Sequence, residues 1–418
     1  MKAVICAELF DGTSVEIRKD WTLLVDQGNV VTSGPFSDVE IPEGAELVDS
    51  GSLTVLPGLI DCHDHLASFG YETASRWGLT EQRTHRDMRI ASVLKQTLET
   101  GYTTIRDAGG LAAGFRDAVD EGLVPGPRLL VSLGIITPTG GIGEHISPSG
   151  YGTPFPEDPS VPSGVANGPH EMRAKVREMV RSGADVIKFA ATGGASSRGG
   201  LEPKDMLISE EEIDALVDEA HKLGRKVMCH ALGGPGLRAG IEAGVDSIEH
   251  GTFLHEDPEL LQLMAQANIF FAPTFSVYKY HGERGTPHGR RRSAELRDDH
   301  VSSLLAAMEA GVKVVSGTDA GGWLHGNNAE EIVCLVDAGM TPAQAILAAT
   351  RTAAECIGRE NDLGTLEAGK KADLIFVDGS PLVDVTGLQH GREVSLVMKE
   401  GNVVYDARDG LRQRPGLK

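Results

Sequence analysis

No two cysteines in this chain are spaced Cys-x-x-Cys, and their total, five at positions 6, 62, 229, 334 and 356, is odd. A secreted disulfide framework is excluded on that pattern, and the cysteines read as reduced thiols. Long apolar runs are missing too: Met1 to Phe10 holds one Lys2, an acidic Glu8 and no signal-like apolar stretch, and no run approaches a membrane span. Clustered positive charge is scarce. With 39 Lys+Arg against 60 Asp+Glu, the formal net charge of -21 argues against nucleic acid or an anionic membrane as partner. The one basic cluster, Arg290 to Arg292 beside His288, reads as a solvated loop in preference to an anion site. What remains, 418 residues with 40% apolar and 24% charged content, can bury a large core, and a cytoplasmic protein is the expectation.

Against those absences stands His63-Asp64-His65, which follows the apolar run Leu53, Val55, Leu56, Leu59, Ile60. At a period of two, both imidazoles point to one side of an extended segment, which suits one metal ion at a strand's end. Lys188, His230, His250 and Asp319 each close a similar apolar run, so six potential ligands recur at strand termini and imply a binuclear metal site. The neighbouring Cys62 and Cys229 alternate to the opposite side of their strands and read as core.

Short apolar runs alternate with amphipathic Ala- and Glu-rich stretches through the centre of the chain, the pattern of parallel strands joined by crossover helices. Eight pairs can be counted. The strands are expected to end near His65, Asp107, Thr137, Lys188, His230, His250, Val277 and Asp319, with helices over 87–100, 110–122, 169–182, 209–223, 257–267 and 293–310. Several helices are closed by glycine, at Gly101, Gly183, Gly224 and Gly311. Eight such units predict an α/β fold of the (β/α)8 TIM barrel type over residues 57–365. In that fold chemistry sits at the C-terminal strand ends, where all six ligand candidates fall. The Gly/Pro-rich segment 140–168 is too long for an ordinary connection and reads as a lid or substrate loop. Residues 1–56 and 366–418 carry short alternating strands with turn signals, and GNVV occurs in both (28–31 and 401–404), so the two termini are expected to build one small β-sandwich.

Taken together, LPGLIDCHDHL, VIKF, CHA, EHG, GTDAGG and the tail GTLEAGKKADLIFVDGSPL resemble the amidohydrolase superfamily over almost the whole chain. Through HGNNAEE (325–331) and EAGKKADL the likeness runs to its imidazolonepropionase-like metallodipeptidase branch. That resemblance implies a Lys188 carbamylated by carbon dioxide, because a protonated amine cannot ligate whereas a carbamate can bridge two ions. It further implies His63, His65 and Asp319 on the more buried metal and His230 with His250 on the more exposed one, zinc being the expected ion. A hydroxide between two cations would be available at neutral pH.

Asp319 would take the proton of that hydroxide as it attacks a carbonyl carbon and pass it to the leaving nitrogen. Tyr278 and His145 are the candidates for stabilising the developing oxyanion. His325 could orient a ligand or substrate. The branch commonly carries Gly-Gly-His-Gly-Asp after the third strand, whereas this chain has Gly140-Gly141-Ile142-Gly143-Glu144-His145, so the histidine is displaced and Arg198 becomes a candidate carboxylate partner. The expectation is a hydrolase of a small-molecule amide, a dipeptide or N-acyl amino acid, working as a homo-oligomer. The alternatives are a cyclic amide, a urea or carbamate substrate, or a barrel kept as a non-catalytic binding subunit.

Overall fold

The computed structural model describes residues 1–70, 81–144, 160–195, 201–321 and 325–408. Its strands fall in two groups. At the N-terminus lie β1 (Lys2–Leu9), β2 (Arg18–Asp26), β3 (Asn29–Pro35), β4 (Glu46–Asp49) and β5 (Thr54–Pro57). The central strands are β6 (Leu59–Asp64), β7 (Tyr102–Asp107), β8 (Arg128–Val131), β9 (Ile135–Ile136), β10 (Val186–Ala190), β11 (Lys226–Ala231), β12 (Ser247–His250) and β13 (Phe270–Ala272). At the C-terminus follow β14 (Leu374–Val377), β15 (Val394–Lys399) and β16 (Asn402–Asp406).

All ladders among the central strands are parallel: β6-β7-β8 form a three-stranded sheet and β13-β12-β11-β10-β9 a five-stranded one. The two are one ring. β8 and β9 are successive halves of the third strand, broken where Leu133 turns left-handed at φ 66, so that the first half pairs with β7 and the second with β10. On the other side the segment 313–320 takes the eighth position. Phe271 and Lys313, Cys62 and Ser316, and Asp319 and His63 are joined there by backbone hydrogen bonds of 2.7 to 2.9 Å. Residues such as Val186–Ala190 and Leu59–Asp64 are buried throughout, as strands covered on both faces require.

Helices flank the ring, among them Arg83–Glu99, Gly168–Arg181, Glu210–Lys222, Phe275–Arg284 and Pro287–Glu309. Glu210–Lys222 starts on a capping box between Ser209 and Glu212, two residues that satisfy each other's backbone donors. The expected seventh strand end at Val277 is corrected: β13 stops at Ala272, Pro273 cannot continue a ladder, and Thr274 at φ 59 turns the chain into the helix Phe275–Arg284. The expected loop at Arg290 to Arg292 is likewise corrected, since these residues belong to the helix Pro287–Glu309, capped by Thr286.

Both termini join in one eight-stranded sheet, ordered β16-β15-β14-β5-β1-β2-β3 with β4 beside β1. Its apolar face gathers Val4, Leu23, Leu374, Phe376, Leu396 and Met398 into a single cluster. The two GNVV copies meet there. Gly28 accepts a bond from Ala372 N–H while Gly401 donates to Ala372 C=O, so both hairpin turns lean on one residue. Strand β5 passes through Gly58 straight into β6, and a Cβ at Gly58 would lie 2.3 Å from Thr103 Oγ1, which leaves room for hydrogen only. Arg128 on β8 reaches Asp373 at 2.8 Å and ties barrel to sheet.

Candidate active site

Strands β6, β10, β11 and β12 and the segment 313–320 deliver His63, His65, Lys188, His230, His250 and Asp319 to one end of the ring. Each histidine of the first strand is held by its Nδ1. His63 Nδ1 lies 2.6 Å from Glu249 Oε2, and His65 Nδ1 lies 2.8 Å from the Gly109 carbonyl, which can only accept. Both rings therefore donate from Nδ1 and keep the Nε2 lone pair free. His250 follows the same rule: its Nδ1 is 2.8 Å from Thr274 Oγ1, whose own proton is given to the Pro273 carbonyl at 2.6 Å.

Those Nε2 atoms converge on a carboxylate. Asp319 Oδ1 stands 3.2 Å from His65 Nε2 and 3.6 Å from His63 Nε2, and the three residues can place one ligand atom each within 4.8 Å of one another. Ring centroids continue the chain, with His63 and His250 5.2 Å apart and His250 and His230 4.5 Å apart. His230 is held more loosely, through a 3.4 Å contact from Nε2 to the Gly193 carbonyl. Lys188 Nζ is buried and has no hydrogen-bond partner among the described residues.

Burial decides the charge states. It pushes His63 down to about 4 and His230 down to about 3, reinforced in both by the nearby Lys188 cation, so the imidazoles are neutral at pH 7 and able to ligate. His250 falls well below the usual histidine range by burial and by its neighbour His230. Burial also lowers Lys188 to about 8, against the pull of Glu249 and Asp319. For Asp319 burial works against the charge, but the adjacent rings of His65, His63 and His250 outweigh it, and the carboxyl is held well below its ordinary value. Backbone geometry supports a built site. His250 (φ 76), Thr274 (φ 59) and Asp319 (φ 52) are non-glycine residues in the left-handed region at the ends of three neighbouring strands, a conformation that costs about 1–3 kcal/mol each unless the surroundings enforce it.

Several functional side chains escape a reading of the sequence. Glu249 is wholly buried and clamped between His63 and Arg106, whose Nη2 stands 3.0 Å from Oε1. Burial alone would neutralise that carboxyl, but the Arg106 and Lys188 charges keep it ionised. Behind the histidines, Asn328 Nδ2 donates to both Asp61 Oδ2 and Asp64 Oδ2 at 2.7 Å, and Asp61 also accepts from Thr318 Oγ1 at 2.7 Å. Glu331 accepts from the backbone N–H groups of Phe275 and Ser276 at 2.9 and 2.7 Å, tying down the helix that carries Tyr278. The signals were faint but present: EHG, RD at the end of TTIRD, and the HGNNAEE run.

A cavity of about 100 Å³ opens from this cluster, with His250, Asp319, Tyr278, His281, Arg292 and Ser293 among its walls. Tyr278 lines the cavity from the first turn of its helix, with Oη 2.9 Å from Thr252 Oγ1; burial pushes its phenol up. His325 is buried against the Ser68 carbonyl at 2.9 Å and lies 3.8 Å from Asp64, beside the cluster and away from that cavity's walls. His145, Arg198 and most of the expected lid lie outside the described residues. All five cysteines are buried and free, Cys62 and Cys229 among core side chains.

A parallel barrel with histidines, a lysine and an aspartate converging at its C-terminal strand ends defines a class of hydrolase. Comparison with known proteins places it: residues 54–404 match the amidohydrolase family, and the chain belongs to that family. Ochratoxinase of Aspergillus niger is 33% identical over 365 residues, 84% of this chain and 75% of the relative. Among solved structures, a Xaa-Pro dipeptidase with methionine bound in its active site superposes with a TM-score of 0.85 at 31% identity, covering 96% of this chain and 99% of the other. A prolidase complexed with N-methylphosphonate-L-proline does so at 0.89 and 28%, covering 97% and 99%. Fold and relatives together make the chain a hydrolase acting on amide bonds.

Proposed function

We infer that the protein hydrolyses the amide bond of a dipeptide or N-acyl amino acid with the help of two divalent metal ions, zinc in the first instance. The observation that carries this reading is the donor set: imidazoles with Nδ1 tied back, the Asp319 carboxylate among them, and a buried Lys188 amine without a partner among the described residues. An unpaired buried amine is costly unless something completes it. Carbamylation by carbon dioxide would turn it into a two-oxygen anion facing the histidines. His63, His65 and Asp319 would then hold one ion and His230 with His250 the other, the Lys188 carbamate belonging to both. Bound there, the ions would acidify a water molecule and polarise the substrate carbonyl.

The chain's own residues supply the rest. Asp319, fixed by its left-handed backbone and by His65, takes a proton at its carboxylate and returns one to the leaving nitrogen. Tyr278 shares the cavity wall with His250 and Asp319, and a phenol donor there would stabilise a developing oxyanion. Glu249 keeps His63 in the ligating tautomer, and His325, held by the Ser68 carbonyl, lies beside the cluster. The dipeptidase and prolidase among the solved relatives support a peptide-like substrate. Elemental analysis of protein purified without chelator, paired with turnover of a dipeptide and N-acyl amino acid library, tests the reading. Two equivalents of metal and preferred cleavage of free acids are expected; a metal-free active enzyme, or preference for ureas and cyclic amides, overturns it.

A further inference from the structure

We propose that Arg292 is the residue that receives the substrate's free carboxylate, an inference that rests on the amide-hydrolase reading above and names its specificity determinant. The cavity that begins at His250 and Asp319 also has Arg292 and Ser293 in its wall, so the reacting end and a permanent cation share one small volume. The guanidinium is placed by a firm support. Four residues further along its helix, Leu296 packs with Val277 and Tyr278, and one turn beyond, His300 stacks on Phe275 at 4.1 Å and against Tyr278 at 4.4 Å. Arg292 and Tyr278 are thus carried on two helices locked to each other.

Its present partners are replaceable. Nη2 lies 2.6 Å from Glu202 Oε2 and Nη1 3.5 Å from Glu295 Oε2, carboxylates that are 63% and 49% exposed, while Nε makes a 3.4 Å contact with the Ala195 carbonyl. Ion pairs with exposed carboxylates of this kind hold the guanidinium weakly, because each carboxylate is nearly as well solvated by water. A substrate carboxylate entering the cavity can take the Glu202 place and use the planar fork of the guanidinium, which a lysine ammonium cannot match. Glu202 then acts as a competitor for the same cation.

The test is steady-state kinetics on a dipeptide and its C-terminal amide with the metal-loaded enzyme and the variants Arg292→Met, Arg292→Lys and Glu202→Gln. Arg292→Met should raise KM for the free acid about tenfold or more, the scale of one charge-assisted hydrogen bond, and leave the amide KM and kcat nearly unchanged. Arg292→Lys should recover part of that loss, and Glu202→Gln should lower KM for the acid only. Equal changes on acid and amide, or none, overturn the assignment. A wild type that cleaves the amide better than the acid would instead sink the substrate reading itself; a wild type that prefers acids and a methionine variant that keeps that preference would sink Arg292 alone. Should Arg292→Met fail to fold, the opposite shifts expected of Arg292→Lys and Glu202→Gln decide the matter.

Discussion

The two halves of the metal-ligand cluster are built differently. On the side of His63 and His65 every ring is locked through Nδ1, Asp319 already lies within 3.2 Å of His65, and the clamp on His63 is backed by Arg106. On the side of Lys188 and His230 one contact is stretched to 3.4 Å and an amine has no partner among the described residues. The first half is organised by hydrogen bonds within the protein; in the second, Lys188 Nζ and His230 are held far less tightly. Preorganisation of a site therefore stops where the chain runs out of side chains able to satisfy one another.

The largest effect should come from removing Lys188, which the proposed carbamate would make the link between the halves. Lys188→Ala is expected to lower kcat/KM by ~10³ or more, with partial rescue by acetate or another short carboxylic acid and loss of metal first from the His230 side. Metal content and activity with and without added acid measure it, and unchanged activity at full metal loading would erase the difference between the halves. Asp319→Asn should keep the fold but lose on the order of 10² or more in kcat, together with the acidic limb of the kcat/KM profile. A smaller loss is expected for Glu249→Gln. It should weaken retention of the ion on the His63 side by about 10- to 100-fold in a chelator competition, whereas the His230 side keeps its ion.

The smallest effect concerns Glu331, away from the ligands. Burial raises its carboxyl to about 8 in spite of the bonds it accepts from Ser276 and Phe275. A carboxyl whose folded value exceeds the unfolded 4.5 stabilises the fold fully below that pH, and the contribution fades as pH rises toward about 8. Glu331→Gln should accordingly flatten the fall in melting temperature between about pH 5 and 8. An unaltered slope would assign that dependence to Asp61 and Asp64, which burial raises to about 7.

What could be read from the sequence was whatever repeats locally. Apolar runs ending in His63, Lys188, His230, His250 and Asp319 announce strands and bring these side chains to one end of the ring, because in a parallel barrel the strand end is the site. The seventh strand deceived, since Phe270 to Val277 is mostly apolar while the cap that makes its second half helical, Glu331, comes from 55 residues away. Glu249 stayed hidden for a similar reason: a charge inside a strand reads as solvent-facing, and the Arg106 that permits its burial is 143 residues distant. In the sequence Arg292 reads as part of a loop, because only tertiary packing shows which wall a helical arginine joins.

The barrel's seam gives the fold a timing property. Segment 313–320 closes the ring through bonds such as Asp319 N–H to His63 C=O at 2.7 Å and His65 N–H to Ala320 C=O at 2.9 Å, and the side chains of Asp319, His63 and His65 then face each other. Closing the last gap in the wall and assembling the first half of the site are one event, so an intermediate with seven strands docked would have neither Asp319 in reach of His65 nor a nest for metal. Activity in a refolding experiment should consequently appear with the slowest protection of the Asp319 and His65 amides, never ahead of it.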